Sequence, residues 1–427
     1  MKNDELSKTI NADFKECVEG FHKQMDAHLN TYPLMMTVLL ANLKMSTKKR
    51  DKYVEKNNIE VIKKEDHSQI FRVTMPHHQK FQKMQNEVEY SLLAIENLSR
   101  NTIVAMVSTY DAFLGNLIRL MFRAKPEMLK STGMSIEVSE LFSYADIKDI
   151  ENCIIERQVE GVLKESHANQ LKWLENILGI RTLKQYSHFR TFIEITERRN
   201  LFVHTAGVVS RTYLKKCKDE GIEIEASLGA ELDVDPNYIN TCHNVLMETG
   251  IKLSQVIWRK LNVCIETSDE SLQDVTFKCL NEGQYALAQE LLEFATTDVK
   301  KYSDVDYEWV FRVNHALSYY LADEKEKSDK IVRERCWSAL DVKYRLAEAV
   351  LLEDFEEAKE LMHIIGKNQL FQINYQEWPL FRKFRKKTEF MNTYEEIYGE
   401  PFVYEEMKEL ESSESFEITG EIRDNLN

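Results

Sequence analysis

Glycine and proline together supply only 19 of the 427 residues, roughly a third of their usual share. A sandwich, barrel or Rossmann-type fold needs turn residues at many strand ends. The scarcity therefore points to an all-α class with at most small β insertions. A chain of this length is expected to form two or three domains, and its 43% apolar content is enough to build their cores. The longest apolar run, Tyr32–Leu43, is interrupted by Pro33 and Asn42 and falls short of the ~18 residues that span a bilayer. The opening Met1-Lys-Asn-Asp-Glu-Leu lacks the apolar core of a signal peptide. A cytoplasmic protein without a membrane partner is expected. The seven cysteines are scattered, with no CxxC pair, which argues against a zinc site or a disulfide framework.

Net charge is −15, but it is unevenly placed. Residues 265–427 hold 20 basic and 36 acidic side chains, whereas residues 1–264 hold 36 and 35. The acidity belongs to the C-terminal part, and a near-neutral N-terminal part can still present a cationic cleft.

Residues 1–50 read as a helix through Phe14, Cys17, Phe21, Met25 and Leu29, followed by the basic cluster Lys44, Lys48, Lys49, Arg50 and Lys52. Two β-rich stretches, Ile59–Ile62 and Ile70–Val73, predict a short hairpin. Pro76-His77-His78 then punctuates the chain, and a long helix is expected from Phe81 to Phe122. Shorter helices fill 134–180, broken near Gly133 and Gly179, and another runs from about Tyr186 to Gly207. The alternation Ile222-Glu-Ile224-Glu-Ala226 predicts a small β pair, and Asp235-Pro236 starts a helix that ends near Cys264. The polar Thr267–Ser271 run reads as a linker, and 410–427 as an acidic tail.

One segment carries candidate chemistry, Thr196-Glu-Arg-Arg199-Asn200-Leu-Phe-Val-His204. Thr196, Asn200 and His204 are spaced by four and form a polar row beside the apolar stripe of Phe189, Phe192 and Ile193. Polar groups entering a packed face must be paired, so the row implies a hydrogen-bond network or a site. Asp111 could salt-bridge Arg199 or equally face solvent. No Walker A, GxGxxG, HExxH or GxSxG pattern is present, and Cys242-His243 are sequence neighbours, a poor geometry for a nucleophile and its base.

Arg199-Asn200-x-x-x-His204 resembles the RNxxxH form of the Rx4–6H motif of HEPN domains. The flanks Phe192-x-Glu-Ile195 and Gly207-Val208-Val209, and the earlier helix Val107–Leu114, extend the resemblance over about residues 80–264. The resemblance implies a metal-independent endoribonuclease without cofactor, which dimerises so that two motifs face each other. In that reading Arg199, Asn200 and His204 are catalytic. His204 is the general acid or base, Arg199 holds the scissile phosphate, Asn200 orients either, and the product ends in a 2′,3′-cyclic phosphate. Arg211, Lys215 and Lys216 follow the motif and are candidate RNA-phosphate contacts. HEPN domains also occur as inactive binding modules, so a non-catalytic interaction or scaffold protein is the alternative.

Beyond the motif lies an internal repeat. Gly283-Gln-Tyr285-Ala-Leu-Ala288 resembles Glu353-Asp-Phe355-Glu-Glu-Ala358, and a middle copy runs from Asn314 to Asp323 with Ser328 at the small-residue position. The outer copies stand 70 residues apart, about twice the 34-residue period of tetratricopeptide repeats, which this stretch resembles. The expected organisation is an N-terminal helical and β-hairpin extension over 1–79, a HEPN-like bundle over 80–264, a repeat domain over 271–409 and the tail. Such a fusion suits a regulated toxin or antiviral-defence effector, with RNA as substrate, a homodimer as the active form, and a regulatory protein partner on the repeats.

Overall fold

The computed structural model describes residues 2–63, 69–133, 135–180 and 186–403. The described chain is 77% helical with a single two-stranded sheet, an all-α protein. The tail expected over 410–427 lies outside the described residues.

Two long helices, α1 (Lys2–Lys56) and α2 (Met75–Ala124), pack side by side. Between them β1 (Glu60–Lys63) and β2 (Gln69–Arg72) pair antiparallel, Glu60 opposite Arg72 and Lys63 opposite Gln69. The expected hairpin is present. Pro76 does not break the chain: it occupies the first turn of α2, where its missing N–H costs nothing. His77 therefore sits on the helix, with Nδ1 2.9 Å from the Tyr53 hydroxyl. The most apolar stretch of α2 is long enough on composition to cross a membrane, and 56% of it is buried against neighbouring elements.

The near ends of α1 and α2 enter the core. Phe21 stacks on Phe113 with centroids 4.1 Å apart, and Phe14 stacks on Trp258 at 5.1 Å. A Cβ at Gly250 would meet the Phe21 ring at 2.6 Å, so this crossing needs glycine. A short 3-10 turn (Pro126–Thr132) leads into α3 (Val138–Leu141), α4 (Ile147–Leu163) and α5 (His167–Leu178). Gly133 and Gly179 end their elements at positive φ, as expected. Next come α6 (Phe189–Thr205), α7 (Arg211–Asp219) and α8 (Pro236–Leu261), the last starting on an Asp235 cap. Residues 222–226 form no strand. Ile222, Ile224 and Ala226 are half-buried against the Leu201–Tyr213 cluster while Glu223 and Glu225 face water. Their alternation records an extended segment lying on an apolar surface.

The expected linker at 267–271 is instead the first half of α9 (Ile265–Asn281). Its polar residues are buried because α8 supplies partners. Arg259 Nη2 donates to Asp269 Oδ1 at 2.6 Å, and Ser268 donates to Gln255 Oε1 at 2.8 Å. Three helical hairpins follow: α9 with α10 (Tyr285–Thr297), α11 (Val305–Leu321) with α12 (Lys325–Arg333), and α13 (Val342–Leu352) with α14 (Phe355–Gln369). Each turn closes alike, through Gly283, Asp323 or Glu353 at positive φ. In each the following N–H donates to the carbonyl five residues back at 2.9 Å, a Schellman closure. The turns stand 40 and 30 residues apart rather than evenly. Ala288, Ser328 and Ala358 are fully buried at the equivalent helix crossings, which explains the small-residue pattern. Two short helices, α15 (Gln372–Glu377) and α16 (Thr388–Tyr398), complete the described chain. One apolar core is continuous from Ile10 to Phe402.

Candidate active site

Helix α6 buries Phe189, Phe192, Ile193 and Ile195 against the core and turns its charged side towards α2, α5, α7 and α8. Thr196 is fully buried and donates to the Ile193 carbonyl at 2.9 Å, so it is satisfied within its own helix. The polar row thus runs outward, from buried Thr196 through half-buried Asn200 to exposed His204.

Arg199 is clamped from α2. Its Nη2 donates to Asp111 Oδ2 at 2.8 Å, and the other carboxylate oxygen lies 2.8 Å from His167 Nε2. A carboxylate only accepts, so His167 must donate through Nε2. His167 is buried with its ring edge-on to Phe192 at 5.7 Å. The Arg199 Nε is buried and has no partner among the described residues. This guanidinium is therefore oriented by one carboxylate and keeps donors to spare.

Two further carboxylates fix the rest of the helix. Glu197 accepts from Lys216 Nζ at 2.9 and 3.0 Å and from Asn200 Nδ2 at 3.3 Å. Glu194 is buried and accepts from Arg198 Nε at 2.7 Å, Tyr213 at 2.8 Å and Tyr238 at 2.6 Å. The Arg198 guanidinium also lies 4.1 Å over the Tyr238 ring. Burial, reinforced by Glu194, pushes both phenols above their ordinary range, so they remain donors. Burial pushes the neighbouring Cys217 thiol up to about 11.

The helix ends immediately after His204, with Ala206 and Gly207 at positive φ. Arg100 from α2 braces this end, donating to the Ala206 carbonyl at 3.3 Å and to Glu231 at 2.6 Å. His204 thus stands on a fixed helix terminus. Of the candidate RNA contacts, Arg211 and Lys215 are exposed on α7, whereas Lys216 is held by Glu197. Arg199 is joined to Asp111 and His167, and Asn200 to Glu197. His204 is exposed and has no side-chain partner among the described residues.

The sequence reading missed His167, Glu194 and Glu197. The two glutamates had a signal, since they lie one and two turns before Asn200 on the polar side. His167 had none, because only the fold brings it to Asp111.

One His/carboxylate cluster with ligand-like spacing exists among the described residues, His188, Glu248 and Glu290. The Lys252 ammonium lies 2.6 Å from Glu248 and 3.6 Å from Glu290, already where a cation would sit. No family model matches the chain, and no curated protein or solved structure matches it.

Proposed function

We propose that the chain is a metal-independent endoribonuclease of HEPN type, active as a homodimer, with its C-terminal hairpins acting as a tetratricopeptide-like regulatory module. The observation that carries this reading is one helix holding both an arginine oriented by Asp111 and an exposed histidine at its terminus. The Arg199 fork has five donors, and Asp111 uses one. The Arg199 Nε is buried, and the remaining terminal N–H groups suit a phosphate whose charge grows during transfer. His204 supplies the acid–base function to the 2′-hydroxyl or the leaving 5′-oxygen. Exposed Val203 and Val208 flank it, an apolar edge on which a second α6 would seat, so that two Arg–His sets share one cleft. A toxin or defence effector is the setting in which RNA damage awaits a trigger, received by the hairpins from a protein partner.

The test is incubation of the purified chain with total RNA in EDTA. Cleavage leaving 2′,3′-cyclic ends is expected. His204→Ala and Arg199→Ala should each lower it at least 100-fold, with unchanged far-ultraviolet circular dichroism. Absence of cleavage by a dimeric, folded chain would favour the non-catalytic scaffold, and strict dependence on a divalent metal would defeat the mechanism.

A further inference from the structure

Positive charge is concentrated at the far end of the α1/α2 arm. Residues 44–83 hold 11 basic and 5 acidic side chains in a chain of net charge −15. Within this stretch Lys44, Lys48, Lys52 and Lys56 recur every fourth residue along α1 and are all exposed. None of the four makes an ion pair or side-chain hydrogen bond among the described residues. Their neighbours differ: Lys49 pairs with Glu87 at 2.7 Å, and Arg50 pairs with Asp51 at 2.9 Å and lies 5.2 Å over the Phe71 ring. Four residues of helix rise about 6 Å, so the free ammonium groups form a row about 18 Å long.

We infer that this lysine row is an RNA-backbone docking surface, which holds the substrate while the α6 terminus acts on it. The inference rests on the nuclease reading for its second half only. Evenly spaced cations without partners match a polyanion with evenly spaced phosphates. Past Met45 no large apolar side chain of α1 is exposed, and Val61, Ile70 and Met75 are exposed only beyond its end, so the row itself offers charge rather than apolar surface. The arm is also aimed from the site. Arg100 of α2 touches the end of α6, and Asn42 of α1 donates to Ser91 of α2. Lys44 therefore stands about 15 Å along the arm from Arg100, and the row continues outward from there. Beside the motif Arg198, Arg199 and Lys216 each hold a carboxylate, which leaves the shorter exposed pair Arg211 and Lys215 on α7.

The experiment uses the full chain and a fluorescent single-stranded RNA with 2′-O-methyl groups, which cannot be cut because the 2′-oxygen is blocked. Affinity is read by anisotropy between ~50 and ~200 mM salt. The quadruple change Lys44→Gln, Lys48→Gln, Lys52→Gln and Lys56→Gln should weaken binding at least tenfold at the lower salt. It should also make the log–log salt slope shallower by about 3, at ~0.7 per single-strand phosphate released. A control removing the same charge from exposed Lys300, Lys301, Lys330 and Lys367 should leave affinity and slope unchanged. Equal loss in both variants would overturn the inference, as would an unchanged slope in the first. So would loss of binding to phosphatidylserine vesicles with RNA affinity intact. A chain that binds through the row but never cuts unblocked RNA would uphold docking and remove the nuclease. A chain that cuts RNA with the row neutralised and affinity undiminished would do the reverse.

Discussion

Residues 265–427 hold 36 of the 71 acidic side chains, yet past Asp269 no carboxylate is buried among the described residues. The nearly neutral first 264 residues bury Asp26, Glu194, Glu197 and Glu248. Each of these four joins helices. Asp26 on α1 is met by His243 of α8 at 3.3 Å and by Lys278 of α9. Glu194 joins α6 to α7 and α8, and Glu248 holds His188 at 2.7 Å and Lys252. A buried carboxylate must be paired, so it dictates where its partners stand. In the C-terminal hairpins that work falls to small residues and identical turns. Basic side chains there cap backbone: Arg382 donates to the Asn281 carbonyl at 3.1 Å, and Lys383 to that of Tyr320 at 2.7 Å. The acids stay on the surface, where RNA would meet repulsion. Internal charge specifies the first region and reaches as far as Asp269 on α9, which Arg259 of α8 and Ser303 hold; past it the hairpins are specified by shape.

Glu194→Ala is the strongest way to break this contrast. It strands Arg198 and removes the acceptor of two buried phenols. The expected cost is about 3–5 kcal/mol in urea unfolding. Glu356→Gln on α14, whose side chain is 78% exposed, should leave the midpoint unchanged. Comparable losses in the two variants would show that both regions rely on charge alike.

Acid tests the same division. Burial lowers His22 on α1 and His315 on α11, each to about 4. A histidine depressed by folding is held neutral, so the unfolded chain takes up more protons below its own pKa of ~6.5. Stability is therefore complete above pH ~6.5 and is lost as pH falls towards 4. For His315 alone the loss is about 3 kcal/mol at pH 4. Burial by itself would raise the Asp26 carboxyl, but the His243 bond and the Lys278 ammonium outweigh it and hold it far below its usual range. Its contribution is present above pH ~4 and is lost only below that. His315→Gln should flatten the decline between pH 6.5 and 4 without abolishing it. A variant with the wild-type pH profile would place the whole acid response in the N-terminal region.

What could be read from the sequence follows the same division. The long helices, the hairpin at 59–73 and the buried Ala288, Ser328 and Ala358 were legible because each rests on local spacing. The linker at 267–271 was misread because Ser268 and Asp269 are polar by composition but buried by contact with Gln255 and Arg259. Those two residues, four apart on α8, were the available signal. At the candidate site Arg199, Asn200 and His204 lie on one helix and share a local pattern. The Asp111–His167 pair that orients Arg199 joins residues 56 positions apart, beyond any spacing rule.

The smallest expected effect sharpens the shape side of the comparison. The three hairpin turns share one closure but not one residue, since Gly283, Asp323 and Glu353 all take positive φ. Only glycine adopts it freely, and a side chain there costs about 1 kcal/mol. At Gly283 a Cβ would meet nothing within 4 Å, so Gly283→Ala carries the conformational cost alone, about 1 kcal/mol of lost stability. Asp323→Gly runs the other way. It gives up the pair with Lys383, but the Asp323 side chain is 86% exposed and such pairs contribute little. Lys383 also keeps its bond to Tyr320. Relief of the backbone, less the greater freedom of glycine in the unfolded chain, should leave a gain of about 0.5 kcal/mol in urea unfolding. If Asp323→Gly destabilised the chain instead, the Lys383 pair would be holding the turn, and the hairpins would depend on charge after all.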